Sequence, residues 1–185
     1  ITEIMYNPPD GNAGEYVEIH NTSHDLTLDL TGVRFTEGIE FTFPSLTLEP
    51  RAHIVVVADR QFFELIHGQG INIAGTFEDG KFHNDGESVA LTLPAPFDVH
   101  IQKFTYDHAW HPSTDSTGYS LELRDTERGL DTWNERSAWT PSFALHGSPG
   151  FPNGASSYHS WARTLGVGLG DEDGDLLSNL FEYAF

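Results

Sequence analysis

Residues that reverse or break the chain set the first constraint on this fold. Eighteen glycines and ten prolines leave most apolar segments only a few residues long. The clusters Asn7-Pro8-Pro9-Asp10-Gly11, Thr36-Glu37-Gly38 and Asn84-Asp85-Gly86 carry the residue types that tight turns demand. Between them the apolar residues alternate. In residues 87–94, Val89, Leu91 and Leu93 share one face and Ser88, Ala90 and Thr92 the other. Phe41 and Phe43 alternate with Glu40 and Thr42, and Leu121 and Leu123 with Glu122 and Arg124. Residues 52–58 are apolar almost throughout, which predicts a strand buried on both faces. Short strands separated by regular turns predict an all-β antiparallel sandwich or barrel. One helix is expected, with Asp59 as N-cap, Phe62, Phe63, Leu65 and Ile66 as its apolar positions, and Gly68 as its stop. Residues 126–136 read as a loop or a weak helix.

Charge narrows the function. Lys and Arg total 9 against 28 Asp and Glu, a net charge of −19. Such a polyanion repels phosphate backbones and acidic lipid surfaces, so neither bare nucleic acid nor an anionic membrane is an expected partner. No apolar run approaches the ~18 residues of a membrane-spanning helix. With no cysteine there is no disulfide, thiolate metal site or cysteine nucleophile. A hydrophobic fraction of 38% is enough to build a core. The chain opens on Ile1 and is read as a segment of a longer protein, with any signal peptide outside it. A boundary is expected in Gly147-Ser148-Pro149-Gly150-Phe151-Pro152-Asn153-Gly154. It divides a β-domain over residues 1–153 from a linker and acidic helical tail over residues 154–185.

Residues 1–153 resemble the lamin tail domain, an immunoglobulin-like β-sandwich of nuclear lamins and of many secreted or surface proteins of bacteria. The resemblance rests on Ile1-Thr2-Glu3-Ile4-Met5-Tyr6-Asn7-Pro8, Glu15-Tyr16-Val17-Glu18-Ile19-His20-Asn21, Leu28-Asp29-Leu30-Thr31-Gly32-Val33 and Leu46-Thr47-Leu48-Glu49-Pro50. It continues through Ile54-Val55-Val56-Val57, Asn84-Asp85-Gly86-Glu87-Ser88-Val89-Ala90-Leu91, Gly118-Tyr119-Ser120-Leu121-Glu122-Leu123, Trp139 and Gly147-Ser148-Pro149-Gly150. One departure is Pro50-Arg51 where the family usually has Pro-Gly, which alters a turn and not the fold. The resemblance implies an immunoglobulin-like antiparallel sandwich with a short helical tail, acting as a structural, adhesive or targeting module without catalytic residues.

The residues themselves offer little chemistry. Glu15 and Glu18 lie three apart on a strand and point to opposite faces, so they do not form an acid/base pair and read as solvated or turn-bonding carboxylates. No Gly-x-Ser-x-Gly elbow or phosphate loop occurs, and the only lysines are Lys81 and Lys103. His108 and His111, in Asp107-His108-Ala109-Trp110-His111, are the best local metal candidates, on a segment read as a variable loop before the 120–123 strand. Trp110, Trp133, Trp139 and Trp161 would serve a glycan platform if exposed, and the core otherwise. No catalytic residue is assigned.

The tail carries the strongest local pattern. Asp171, Asp173, Asp175, Asn179 and Glu182 stand at loop positions 1, 3, 5, 9 and 12 of an EF-hand spacing, with the Leu177 carbonyl at position 7. This spacing wraps a hard cation in oxygens, and the expected ion is Ca2+. The segment also resembles calcium loops of bacterial extracellular repeats related to dockerins. Leu176 stands where those loops need glycine, which predicts weak affinity. The competing reading is an acidic helix N-terminus. Trp161, Leu165, Leu176, Leu177, Leu180, Phe181 and Phe185 are expected to pack against the sandwich or a neighbouring domain.

Taken together these readings predict a catalytically silent module of a secreted or surface bacterial protein. Its expected partners are protein or glycan surfaces and neighbouring domains of the parent chain. Glycan binding through exposed aromatics, or service as an accessory domain of a hydrolase, are the alternatives.

Overall fold

The computed structural model describes residues 1–153. Thirteen strands and one α-helix are ordered β1 (Glu3–Met5), β2 (Tyr16–His20), β3 (Leu28–Asp29), β4 (Arg34–Glu37), β5 (Ile39–Thr42), β6 (Thr47–Leu48), β7 (His53–Val57), α1 (Arg60–His67), β8 (Ile73–Thr76), β9 (Asp79–Gly80), β10 (Ser88–Thr92), β11 (His100–Thr105), β12 (Leu121–Leu123) and β13 (Trp139–Pro141). They form a six-stranded sheet in the order β13-β12-β1-β2-β7-β8, a five-stranded sheet in the order β11-β10-β4-β5-β9, and a two-stranded ribbon of β3 and β6.

The two large sheets close over one core. Ile4, Val17, Ile19, Ile54, Val56, Leu121 and Leu123 reach in from the six-stranded sheet. Phe35, Ile39, Phe41, Val89, Leu91 and Phe104 meet them from the five-stranded sheet. The alternation in β5 holds, with Ile39 and Phe41 buried and Glu40 and Thr42 exposed. β7 is buried on both sides, Val56 facing the core and Val55 and Val57 joining Met5, Tyr16 and Phe63 on the outer face. That outer face is covered in part by α1. Asp59 caps the helix by accepting from the Phe62 N–H at 3.0 Å, and Gly68 closes it at φ 73. Of the four apolar helix positions only Phe63 is buried; Leu65 stays 78% exposed.

Two local features differ from the sequence expectation or sharpen it. β7 and β8 pair in parallel, whereas the other pairings among the described residues are antiparallel. A parallel pair needs a crossover, and α1 supplies it. Residues 126–136 contain a short 3-10 turn at Leu130–Asn134, which buries Trp133.

Arg51 adopts φ 61, the conformation that the missing glycine would take. Its guanidinium Nη1 donates to the Thr22 carbonyl at 2.9 Å. The left-handed region costs a non-glycine residue about 1–2 kcal/mol, and glycine's extra freedom in the unfolded chain costs about 0.5–1 kcal/mol. Arg51→Gly should therefore move stability by no more than ~1 kcal/mol. Arg51→Val, β-branched and without the hydrogen bond, should lose more than ~1 kcal/mol in urea denaturation.

Candidate functional site

The outer face of the six-stranded sheet carries a row of acids. Glu3 pairs directly with Glu122 of β12 on one side and Glu18 of β2 on the other. All three are fully buried, at 0% exposure. Their strand neighbours Ile4, Val17, Ile19, Leu121 and Leu123 face the core. Period-two alternation therefore turns all three outward together.

A strap, residues 147–150, lies over this row and satisfies much of it. The Ser148 N–H donates to Glu3 Oε1 at 2.9 Å, and the Ser148 hydroxyl to Glu122 Oε1 at 2.7 Å. The Gly150 N–H donates to Glu18 Oε2 at 2.6 Å. From the sheet itself, the Tyr16 hydroxyl and the Ser120 hydroxyl also donate to Glu3 Oε1. Thr2 Oγ1 donates to Glu18 Oε1 at 2.7 Å. His53 Nδ1 lies 3.0 Å from the same oxygen without the alignment of a hydrogen bond, and the His53 ring stacks on His20 at 4.0 Å. Asn153 then ties the end of the strap to the carbonyls of Thr2 and Leu123, both at 2.8 Å.

The electrostatics follow from this burial. Burial, and then the Glu18 and Glu122 carboxylates, hold Glu3 well above the usual carboxylate range against its hydrogen bonds from Ser120 and Tyr16. Burial, followed by the adjacent Glu3, pushes Tyr16 well above its ordinary value. Burial and then His53 bring His20 down to about 4. Glu3 Oε2 has no hydrogen-bond partner.

The solvated reading of Glu15 and Glu18 is corrected by these contacts. Their side chains do point to opposite sides. But Glu18 lies under the strap, and Glu15, 1% exposed, accepts from the Phe82 N–H at 2.8 Å on the core side. Alternation identifies the face and not its cover, and the cover here arrives about 130 positions later in the chain. The signal available was the glutamate at the same place in three strands, with the small-residue closing motif to lie over it.

Glu15 gives a measurable consequence. Burial raises it to about 7, opposed by the Phe82 N–H and Lys81 and aided by Glu87. The folded chain thus binds a proton that the unfolded chain releases near pH 4.5, so stability is lost as pH rises from there through about 7. Glu15→Gln keeps an acceptor for Phe82 and removes that titration. The wild-type melting temperature should fall by a few degrees more than the variant's between about pH 5 and about pH 7, read by circular dichroism.

The other candidates are placed as follows. His108 begins a short 3-10 turn, His108–Trp110, and its Nδ1 faces the Asp85 carbonyl at 2.8 Å. Among the described residues no three or more His, Cys, Asp or Glu side chains are arranged to hold a metal ion. Trp133 and Trp139 are core residues, and Trp110 is partly buried against that core. Trp161 and the tail candidates Asp171, Asp173, Asp175, Leu177, Asn179 and Glu182 lie outside the described residues. No helix among those described is long and apolar enough to cross a membrane.

Two closed sheets with a single shared core, and polar side chains that tie strand to strand, define an immunoglobulin-like β-sandwich. The model of the Lamin Tail Domain matches residues 1–108, and the chain belongs to that family. The fold runs past the matched span, since β12 pairs with β1 and the strap closes over both. No curated protein and no solved structure matches the chain.

Proposed function

We propose that this chain is a non-enzymatic structural, adhesive or targeting module of a larger secreted or surface protein of bacterial type. One observation carries the reading: its most deeply buried carboxylates, Glu3, Glu18 and Glu122, are engaged by donors from its own strands and strap. A catalytic acid or nucleophile has to face a substrate, and these face the chain itself. Family membership supports the same reading. Screening against ester, phosphate, glycoside and peptide substrates should give no turnover. Turnover that survives repurification and is abolished by one point substitution would overturn the proposal.

The reading extends to the tail. In the acidic sequence of residues 154–185, Asp171, Asp173, Asp175, Asn179 and Glu182, with the Leu177 carbonyl, bind one calcium ion. Oxygen donors at alternate positions suit calcium, which takes six to eight of them in flexible geometry. Leu176 in the glycine position weakens binding to about 10⁻⁴–10⁻³ M, the range of extracellular modules. Titration calorimetry of metal-stripped protein should show one calcium bound and a raised melting temperature, both lost in Asp173→Ala. No heat at millimolar calcium would leave the acidic helix cap as the better reading of the tail.

A further inference from the structure

Three carboxylates placed side by side in one hydrogen-bonded row, all out of water, do not all carry charge at once without strong repulsion. The strap that covers them brings neutral donors, two backbone N–H groups and one hydroxyl. Glu3, in the middle of the row, accepts three hydrogen bonds on Oε1 while Oε2 lacks any donor. An oxygen in that position is the natural seat of a carboxylic proton, on the residue that pairs with Glu18 on one side and Glu122 on the other.

We infer that residues 147–150 are a pH-sensitive latch over Glu3, Glu18 and Glu122, shut while Glu3 carries a proton and opened when it ionises. The groups facing the row from each packed element are these. β2 brings Glu18 and Tyr16, and β12 brings Glu122. β7 brings His53, with His20 stacked on it, and Arg51 acts on His20 in turn. α1 brings the His67 ring, edge-on to Tyr16 at 5.8 Å. At the strap's start the His146 carbonyl accepts from Tyr16 at 3.1 Å, and its ring lies 3.9 Å from Asp10.

The sign follows from Glu3. Its proton is held more tightly in the closed row than in water, so closure is favoured at low pH and lost as pH rises through the folded value. Opening would free Ser148 and Gly150 from the sheet and loosen the Asn153 tether.

Hydrogen exchange of the full chain, corrected for the intrinsic pH dependence of exchange, tests this between about pH 6 and about pH 9. Protection of the strap amides should fall by at least about tenfold over that span, while β7 and β10 amides keep theirs. Glu3→Gln, which retains an acceptor and cannot ionise, should hold the strap protected throughout. If that variant does not fold, Glu122→Gln, which removes one charge from the row and keeps an acceptor for Ser148, should shrink the loss of strap protection without abolishing it, because Glu3 still ionises beside Glu18. Constant strap protection in the wild type would overturn the inference. So would a neutral variant that loosens in parallel with the wild type, or core amides that lose protection together with the strap.

Discussion

Gly147→Ala should lower the melting temperature by on the order of 10 °C, far more than alanine at most other glycines of the chain. Gly147 adopts φ 87, and a Cβ there would fall well inside 3.0 Å of the Tyr16 hydroxyl and Glu3 Oε1, with Ser120 Oγ at 2.9 Å. The left-handed backbone costs alanine about 1–2 kcal/mol. Forcing a methyl into the packed row adds about 1–3 kcal/mol. Any of the three hydrogen bonds on Glu3 Oε1 broken by the displacement adds about 1 kcal/mol more. The sum, ~3–6 kcal/mol, converts to that shift for a domain of this size. Gly11→Ala isolates the backbone contribution, because Gly11 has φ 84 and nothing within 4 Å of its added Cβ. It should cost only about 1 kcal/mol. Equal losses at the two positions would mean that the strap does not press on the acid row.

The same row shows what can be read from a sequence such as this one and what cannot. Local rules placed the short elements well. Unbroken apolar character located β7, alternation located β5, and Asp59 with Gly68 bounded α1. Each of these depends on residues within a few positions of one another. The covering of a sheet face does not. Glu3, Glu18 and Glu122 look like ordinary outward strand residues until residues 147–150 are laid across them. The parallel pairing of β8 was hidden for a related reason, since residues 73–76, Ile-Ala-Gly-Thr, are too short and small to show a face. Arg51 is the opposite case. The family pattern asks for glycine there, and the backbone keeps the conformation that glycine would have had.

Trp139 should prove the most sensitive aromatic of the core, and its comparison with Trp133 separates packing from hydrogen bonding. Trp139 is completely buried, stacks on Phe104 at 4.9 Å and meets Trp133 edge-on at 6.3 Å. Phe104 belongs to β11 of the five-stranded sheet and Trp139 to β13 of the six-stranded one, so this contact joins the two sheets where their edges meet. Trp139→Ala removes that join and should cost about 3–5 kcal/mol. The phenylalanine variants are more telling. Trp139 Nε1 donates to the Trp133 carbonyl at 2.8 Å, so Trp139→Phe strands a buried carbonyl as well as losing volume. Trp133 Nε1 is buried without a partner, and Trp133→Phe relieves that cost while losing a similar volume. In urea denaturation Trp139→Phe should therefore be the more destabilising of the two by at least ~1 kcal/mol. Equal losses would show that ring volume alone governs this corner of the core, and that the indole hydrogen bond adds nothing to the join between the sheets.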